Sequence, residues 1–229
     1  MLDLWLIRHG QTEGNKSGKY IGVTDEPLCV EGIEFLKTLQ YPEIDAVFVS
    51  PKKRCLQTAQ ILFPEHEAYV IPELAECDFG EFENKNYKEL SGNQHYQQWI
   101  DSNGMLPFPG GESRGAFKKR CFDGFGKAVQ QCINRKILRA GLVVHGGTIM
   151  NLMEEYCDEH RSFYEWHVKN GKGFQVVLDP EAWSQGDRRL ILKYAYESEK
   201  EGKRKSSFCL LVHSNKKIKN IKKIFCKFH

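Results

Sequence analysis

Two arginines and two histidines follow short apolar runs at three separate places in the sequence. Arg8 and His9 come directly after the run LWLI, Arg54 comes shortly after AVFVS, and His145 ends the run LVVH and is followed by Gly146. Guanidinium groups bind phosphate oxygens two at a time. A helix that starts after a glycine turn adds backbone N–H donors. These residue types predict a site for a phosphate ester.

The sequence favours a histidine as the nucleophile of this site. No serine sits in a GxSxG elbow at the turn from an apolar strand to a helix, no cysteine precedes an arginine in a phosphate-binding loop, and no cluster of carboxylates is spaced for a metal pair. Neutral imidazole is nucleophilic near neutral pH, and neighbouring arginines oppose its protonation. His9 or His145 alone would more often be structural. When both histidines are considered together with Arg8 and Arg54, a catalytic role is the better interpretation.

The elements that must position these residues alternate between strands and helices. Short apolar runs predict strands, and apolar residues three or four apart predict helices. The alternation indicates an α/β fold, a three-layer sandwich in which helices flank a mostly parallel central sheet. Ligands bind beyond the carboxyl ends of strands in such sheets. Strands are predicted at 4–7, 44–50, 68–71, 140–146, 174–179 and 189–196, and helices at 30–40, 54–63, 117–133 and 148–156.

Residues 72–115 interrupt this alternation with a segment rich in glycine, proline, asparagine and aromatic residues. Long connections of this kind typically carry function, so we expect an insertion that forms a lid over the site. Within it, Trp99 is predicted to be a core residue. For Tyr96 and Phe108 the sequence does not decide between a place in the core and a place in the pocket wall.

The net charge of +3 averages two unlike parts of the chain. Residues 200–229 hold ten Lys/Arg and one Asp/Glu, so residues 1–199 hold 23 basic and 29 acidic residues. We therefore expect one domain, 1–199, and a basic tail, 200–229, that is disordered or atypical. A run of positive charge alone is weak support for binding nucleic acid or an anionic membrane, so neither partner is expected.

The cysteines and the apolar runs predict a cytoplasmic protein. No CxxC pair occurs, no export signal is recognisable, and no apolar stretch has the length of a membrane span, so reduced thiols are expected. Cys157, His160 and His167 are candidate metal ligands, but their spacing is unspecific and the ligand set is incomplete. No metal or organic cofactor is expected. The eight cysteines lie at positions 29, 55, 77, 121, 132, 157, 209 and 226.

Several ordered blocks, from residue 4 to about residue 180, resemble the histidine phosphatase superfamily, also called the phosphoglycerate mutase-like family. Cys29 stands where the family pattern usually has threonine, and Phe82 stands where tryptophan is common. The resemblance implies a phosphomonoester hydrolase that works through a phosphohistidine intermediate. The blocks are LIRHGQTEGN, YIGVTDEPLCVEGI, VFVSPKKRCLQTA, IPELAECDFGEFE, FPGGES and LVVHGGTI.

The resemblance also implies a role for each matching residue. His9 would attack phosphorus, and Glu76 would protonate the leaving oxygen and then activate water. A carboxyl group beside a phosphate dianion has a raised pKa, which suits that acid role. Glu13 and Glu112 are weaker candidates for the acid. The residues implied to bind the phosphoryl group are Arg8, Asn15, Arg54, His145 and Gly146.

The sequence favours a phosphatase over a mutase, because the stretch between Glu76 and His145 is modest in length and holds few arginines. The pattern of the sequence, including WHVKNG (166–171), most resembles the α-ribazole phosphatase branch, which removes a phosphate from a cobalamin precursor. Broad-specificity phosphatases of the family have a similar pattern. A phosphoglycerate mutase and a non-catalytic phosphate-binding module are the alternatives. The expected partner is a small-molecule phosphate ester, and a homodimer is left open.

Overall fold

One sheet with helices on both faces forms the framework of the computed structural model, which describes residues 1–196. The predicted basic tail, 200–229, lies outside the described residues. In chain order the elements are β1 (Leu2–Arg8), α1 (Glu13–Lys16), α2 (Val30–Lys37), β2 (Ala46–Val49), α3 (Lys53–Leu62), β3 (Ala68–Val70), α4 (Gln94–Asp101), α5 (Arg114–Arg135), β4 (Arg139–Val144), α6 (Gly146–Tyr156), β5 (Gly173–Leu178), α7 (Pro180–Ser184) and β6 (Ile191–Tyr196).

The six strands lie in the order β3-β2-β4-β1-β5-β6. The first four in this order are parallel, whereas β5 and β6 are antiparallel to their neighbours. The mostly parallel α/β sheet predicted from the sequence is therefore confirmed. The order also makes β2, β4 and β1 adjacent, so their carboxyl ends meet at the same edge.

Apolar side chains alternate between the two faces of the sheet and build two cores. Leu2, Leu4 and Leu6 of β1 pack on the face covered by α5 and α6. Trp5 and Ile7 pack on the opposite face with α3. A large apolar side chain contributes about 1.5–3 kcal/mol when fully buried. Burial on both faces explains why these strands read as continuous apolar runs in the sequence.

Each predicted helix and strand is present, with its ends set by local caps. Cys29, the departure from the family pattern, caps α2 by accepting a hydrogen bond from the N–H of Gly32 at 3.3 Å. Helix α5 begins earlier than predicted because Ser113 accepts from the N–H of Ala116 at 3.1 Å. It ends at Lys136, which has a left-handed φ of 55°. The short helices α1, α4 and α7 were not predicted.

The segment 72–115 is folded around its own aromatic cluster. It contains helix α4 and two short 3₁₀ turns. Trp99 is 5% exposed and packs with Tyr96 and Phe82, which confirms its predicted core position. Phe108 packs against this cluster and also lines the cavity described below. The segment thus forms one wall of the site, and closure of this wall as a lid stays a prediction.

The cysteines within the described residues are buried and form no disulfide bond with one another. Burial raises the pKa of the Cys55 and Cys121 thiols to about 12, so both stay protonated near neutral pH. Within residues 1–196, no helix has both the length and the apolar character needed to cross a lipid bilayer.

Candidate active site

Three neighbouring strands deliver the predicted reactive residues to one edge of the sheet. Arg8, the last residue of β1, lies opposite Val144, the last residue of β4. The residues that follow are His9 and His145, and their ring centroids are 5.2 Å apart. Ser50 follows β2, and its Oγ lies 2.7 Å from Nε2 of His145. The parallel register therefore places both histidines side by side.

The orientation of the His9 ring suits its predicted role as a neutral nucleophile. Its Nδ1–H donates to the carbonyl oxygen of Gly10 at 2.7 Å, which leaves the lone pair of Nε2 free for attack. Burial, followed by the positive charges of Arg54 and Arg8, holds the pKa of His9 well below its ordinary value. The imidazole is therefore unprotonated at neutral pH.

His145 is fully buried beside the nucleophile and is also neutral. Burial is the main reason that its pKa lies well below the ordinary value, and Arg54 adds to the effect. Nε2 hydrogen bonds with the hydroxyl of Ser50, while Nδ1 lies 3.9 Å from Oε2 of Glu76. His145 is therefore held between the sheet edge and the predicted acid.

We predict that the two buried histidines make folding stability fall below pH 6.5. Their pKa values are lowered in the folded protein, so the unfolded chain takes up protons first as the pH falls. The stability that the neutral rings contribute is present above the unfolded pKa of 6.5 and is lost as the pH drops further. Each kcal/mol lost lowers the Tm of a domain of this size by roughly 2–4 °C.

Thermal unfolding between pH 7.5 and 5 measures this effect. His9→Asn should flatten the dependence, whereas His95→Asn should keep it, because His95 is a half-exposed surface residue. Parallel curves for wild type and His9→Asn would show that His9 titrates normally in the folded protein.

Arg54 is fixed by backbone carbonyls rather than by an acidic partner. The side chain is fully buried, and it donates to Thr24 O at 2.8 Å and to Ile21 O and Gly22 O at 3.2 Å. Its Nε is buried and has no hydrogen-bond partner within residues 1–196. Since no carboxylate among the described residues lies at hydrogen-bond distance from it, the guanidinium is available for an anion.

Arg8 has a similar environment on the other side of His9. Its Nη1 donates to Val168 O at 2.8 Å and to Nε2 of His167 at 3.3 Å, and its Nε is buried without a partner among the described residues. Burial lowers the pKa of Arg8 to about 10, so the side chain still carries its charge at neutral pH. The two arginines surround the nucleophile with donors suited to phosphate oxygens.

Glu76 lies at the same edge with 11% of its side chain exposed, and it is the best placed of the three candidate acids. Its Oε1 accepts from the N–H of Cys77 at 2.9 Å, and burial raises its pKa. Arg120 holds the loop in place, because it donates to the carbonyl oxygens of Glu73, Ala75 and Glu76.

Glu13 and Glu112 are engaged elsewhere. Glu13 is exposed on α1, where Lys16 Nζ lies 3.3 Å from its carboxylate. Glu112 accepts two hydrogen bonds from Arg120 at 2.7 and 3.0 Å. Neither side chain lines the cavity that contains His9. The structure therefore favours Glu76 as the acid.

The remaining predicted residues, Asn15 and Gly146, also line this cavity. Oδ1 of Asn15 accepts from the Thr12 N–H at 3.3 Å and from Asn170 Nδ2 at 3.1 Å, and these two bonds fix the orientation of its side-chain amide. Gly146 begins α6, which has no side-chain cap, and the first amides of the helix point toward the site. A Cβ on the next residue, Gly147, would lie 2.9 Å from Glu76 Oε1.

The sequence interpretation missed two residues that contact the end of β1 and the loop after it. Nδ2 of Asn170 donates to His9 O at 3.1 Å and to Gly10 O at 3.3 Å, in addition to its bond with Asn15. His167 contacts Arg8 rather than a metal site. The signal available is the block WHVKNG, which supports the resemblance but assigns no role to either side chain.

The described residues do not bring Cys157, His160 and His167 together as metal ligands. Within residues 1–196, one group of three has ligand atoms within 4.8 Å of one another: Glu13, Cys29 and Glu31. Lys16 already lies 2.6 Å from Glu31, and the Cys29 sulfur caps α2. This acidic group is therefore explained by an ion pair and a helix cap.

Beyond the predicted site residues, the cavity is lined mainly by apolar and aromatic side chains. The Trp99 and Phe108 rings lie 5.0 Å apart at one side, and those of Phe79 and Phe108 lie 5.1 Å apart. The charged side chains that line the cavity include Lys19 and Arg114, and Arg114 pairs with Glu154 at 3.4 Å. The rest of the wall is formed by Tyr20, Ile21, Cys77, Gly104, Phe117, Gly147, Met150, Asn151, Phe163, Tyr164 and His167.

The sequence profile of the Histidine phosphatase superfamily (branch 1) matches residues 4–186. The chain belongs to this superfamily. The superfamily recognised from the motifs is therefore confirmed, and this histidine phosphatase carries the two arginines, two histidines and the glutamate at a single buried site.

Individual relatives agree with this assignment. The adenosylcobalamin/alpha-ribazole phosphatase of Salmonella typhimurium is 33% identical over 187 residues, which cover 77% of this chain and 89% of that protein. The alpha-ribazole phosphatase of Shigella flexneri has a similar fold, with a TM-score of 0.70 at 24% identity over 86% of this chain and 96% of that one. A phosphoglycerate mutase from Thermus thermophilus aligns with a TM-score of 0.61 at 27% identity, covering 82% of this chain and 96% of that one.

Proposed function

We propose that this histidine phosphatase hydrolyses a small-molecule phosphate ester whose alcohol carries a flat aromatic group, with α-ribazole 5′-phosphate as its substrate. The observation that carries the proposal is a single cavity that joins His9 and Arg8 at one end to the aromatic wall around Trp99 and Phe108. The ribose of α-ribazole carries a benzimidazole ring, which such a wall suits. The Salmonella typhimurium relative supports the same substrate.

The proposed reaction proceeds in two steps. Nε2 of His9 attacks phosphorus while the bond to the leaving oxygen breaks, and Glu76 gives its proton to that oxygen as the alcohol departs. A water molecule then attacks the phosphohistidine, with the Glu76 carboxylate taking its proton, and inorganic phosphate leaves. Arg8, Arg54 and His145 stabilise the phosphoryl oxygens in both steps.

The experiment that tests the substrate compares α-ribazole 5′-phosphate, 3-phosphoglycerate and 4-nitrophenyl phosphate with wild type and His9→Ala. We expect the highest kcat/KM for α-ribazole 5′-phosphate and phosphate release that depends on His9. Isomerisation of 3-phosphoglycerate without phosphate release would identify a mutase instead. Activity no greater than that of His9→Ala on each ester would favour a phosphate-binding module.

We also predict that chelation leaves activity unchanged. The positive field at the site comes from buried guanidinium groups, Arg8 and Arg54, and from the amides at the start of α6. Phosphate release is expected to stay within about two-fold of its starting rate after incubation with EDTA and gel filtration, since no step of the proposed mechanism involves a metal ion. Loss of activity that returns only with an added divalent metal would contradict the mechanism.

The cytoplasm is the proposed location. Buried thiols without disulfide bonds within residues 1–196 are typical of proteins in a reducing compartment. A homodimer is compatible with this proposal, and size-exclusion chromatography with light scattering determines the oligomeric state.

A further inference from the structure

Asn151 is a buried polar residue in the apolar part of the cavity wall, and the proposed mechanism does not use it. It lies on α6 four residues after Gly147, so both face the same side of the helix. Both residues line the cavity. The side chain of Asn151 is only 1% exposed, which is unusual for asparagine.

One end of the Asn151 amide has no hydrogen-bond partner in the part of the chain that the structure describes. Nδ2 points toward Cys121 Sγ on α5 at 3.9 Å, a weak contact. Oδ1 is buried and forms no hydrogen bond within residues 1–196. A buried carbonyl oxygen without a donor is costly, and most such oxygens in folded proteins are satisfied. An apolar residue would fill this place between two helices without that cost.

The surroundings of Asn151 point to a donor on the substrate. Met150 and Phe117, which line the same cavity, offer no polar side-chain group, and Arg114 is paired with Glu154. An amide oxygen accepts hydrogen bonds from hydroxyl or N–H groups. The phosphoryl group is already surrounded by donors, so the group that reaches Asn151 belongs to the leaving alcohol.

We propose that Asn151 accepts a hydrogen bond from a hydroxyl group of the leaving alcohol and so selects sugar phosphates over simple aryl phosphates. This inference rests on the proposed function for the orientation of the ester, with phosphate at His9 and the alcohol in the aromatic end. In α-ribazole 5′-phosphate the ribose supplies the hydroxyl groups. A site built to bind a hydroxyl group discriminates strongly against substrates that lack it.

The experiment measures kcat/KM for α-ribazole 5′-phosphate, ribose 5-phosphate and phenyl phosphate with Asn151→Leu and Asn151→Ala. Leucine retains the volume and alanine removes it, so an effect shared by both comes from the lost amide. Met153→Leu is the matched control, because Met153 is buried on the same helix and does not line the cavity. Thermal unfolding establishes that each variant is folded.

Both Asn151 variants should lose roughly 10- to 100-fold in kcat/KM on the two ribose esters and less than about two-fold on phenyl phosphate. Equal losses on all three esters would overturn the inference and assign Asn151 to packing. Unchanged kinetics would overturn it as well. In another outcome, the wild type fails to hydrolyse α-ribazole 5′-phosphate while the Asn151 variants lose kcat/KM selectively on ribose 5-phosphate. That result would support the role of Asn151 and refute the proposed function.

Discussion

Replacing His9 with alanine is expected to lower phosphate release by at least about 1,000-fold, because the proposed mechanism has no second nucleophile. Nε2 of His9 has no hydrogen-bond partner within the described residues, since the ring is held through Nδ1 alone. Nε2 of His145, in contrast, is occupied by Ser50 at 2.7 Å. The geometry therefore distinguishes two neutral histidines that lie in similar electrostatic environments.

Trapping of the phosphoenzyme measures this difference directly. Wild type mixed with ³²P-labelled ester and quenched in alkali should retain label on the protein, since phosphohistidine is stable to alkali. His9→Ala should retain none. His145→Ala should still acquire label, at a reduced rate, because it removes a group that binds phosphate and leaves the nucleophile.

The control variant is His95→Ala, which changes a half-exposed histidine that hydrogen bonds to Glu81 on the surface. Its activity should match that of wild type. Label on His9→Ala, or loss of label only in His145→Ala, would assign the nucleophile to His145 and contradict the proposed roles.

The strand ends of the site could be predicted from the sequence because each strand is buried on both faces. Such strands are continuous apolar runs, and each one stops at a polar residue where the sheet ends. Arg8, Ser50 and His145 lie at these strand ends. Their meeting depends on the order β2-β4-β1, which joins segments more than ninety residues apart and has no local signal.

The groups that hold Arg54 could not be predicted from residue types. They are the backbone carbonyls of Ile21, Gly22 and Thr24, and every residue has such an oxygen. Only the fold of the loop before α2 turns them toward the guanidinium. Asn170 was missed for a related reason: it lies 161 residues after His9 in the sequence and contacts it through a single amide group.

The helices that were not predicted are short or polar. Helix α1 has four residues and is held by a capping box between Thr12 and Asn15, and α7 has five. Helix α4 has eight residues, of which Tyr96 and Trp99 are buried. Tyr96, Trp99 and Ile100 have helical spacing, but they span little more than one turn, which is too short to indicate a helix inside a segment rich in turn formers. Tertiary packing of the aromatic cluster decides the structure here.

Glu76→Gln is expected to lower kcat/KM by about 10²–10⁴-fold on α-ribazole 5′-phosphate and by less than about ten-fold on 4-nitrophenyl phosphate. The alkoxide of a ribose ester is a poor leaving group and needs the proton of Glu76, whereas 4-nitrophenolate departs without one. Because kcat/KM reports the steps through formation of the phosphohistidine, it isolates the acid role. Glu13→Gln, a change on exposed α1, is the matched control and should behave as wild type.

The pH dependence tests the same carboxyl group independently. Burial raises the pKa of Glu76 more than the nearby Cys77 N–H and Arg54 lower it, so the protonated acid persists to a higher pH than for an ordinary glutamate. Since the acid form exists below this pKa, kcat/KM for α-ribazole 5′-phosphate should fall as the pH rises through it. The value for 4-nitrophenyl phosphate should not show this decline, and Glu76→Gln should remove it for the ribose ester. An identical basic limb for both esters, retained in Glu76→Gln, would show that another group supplies the proton.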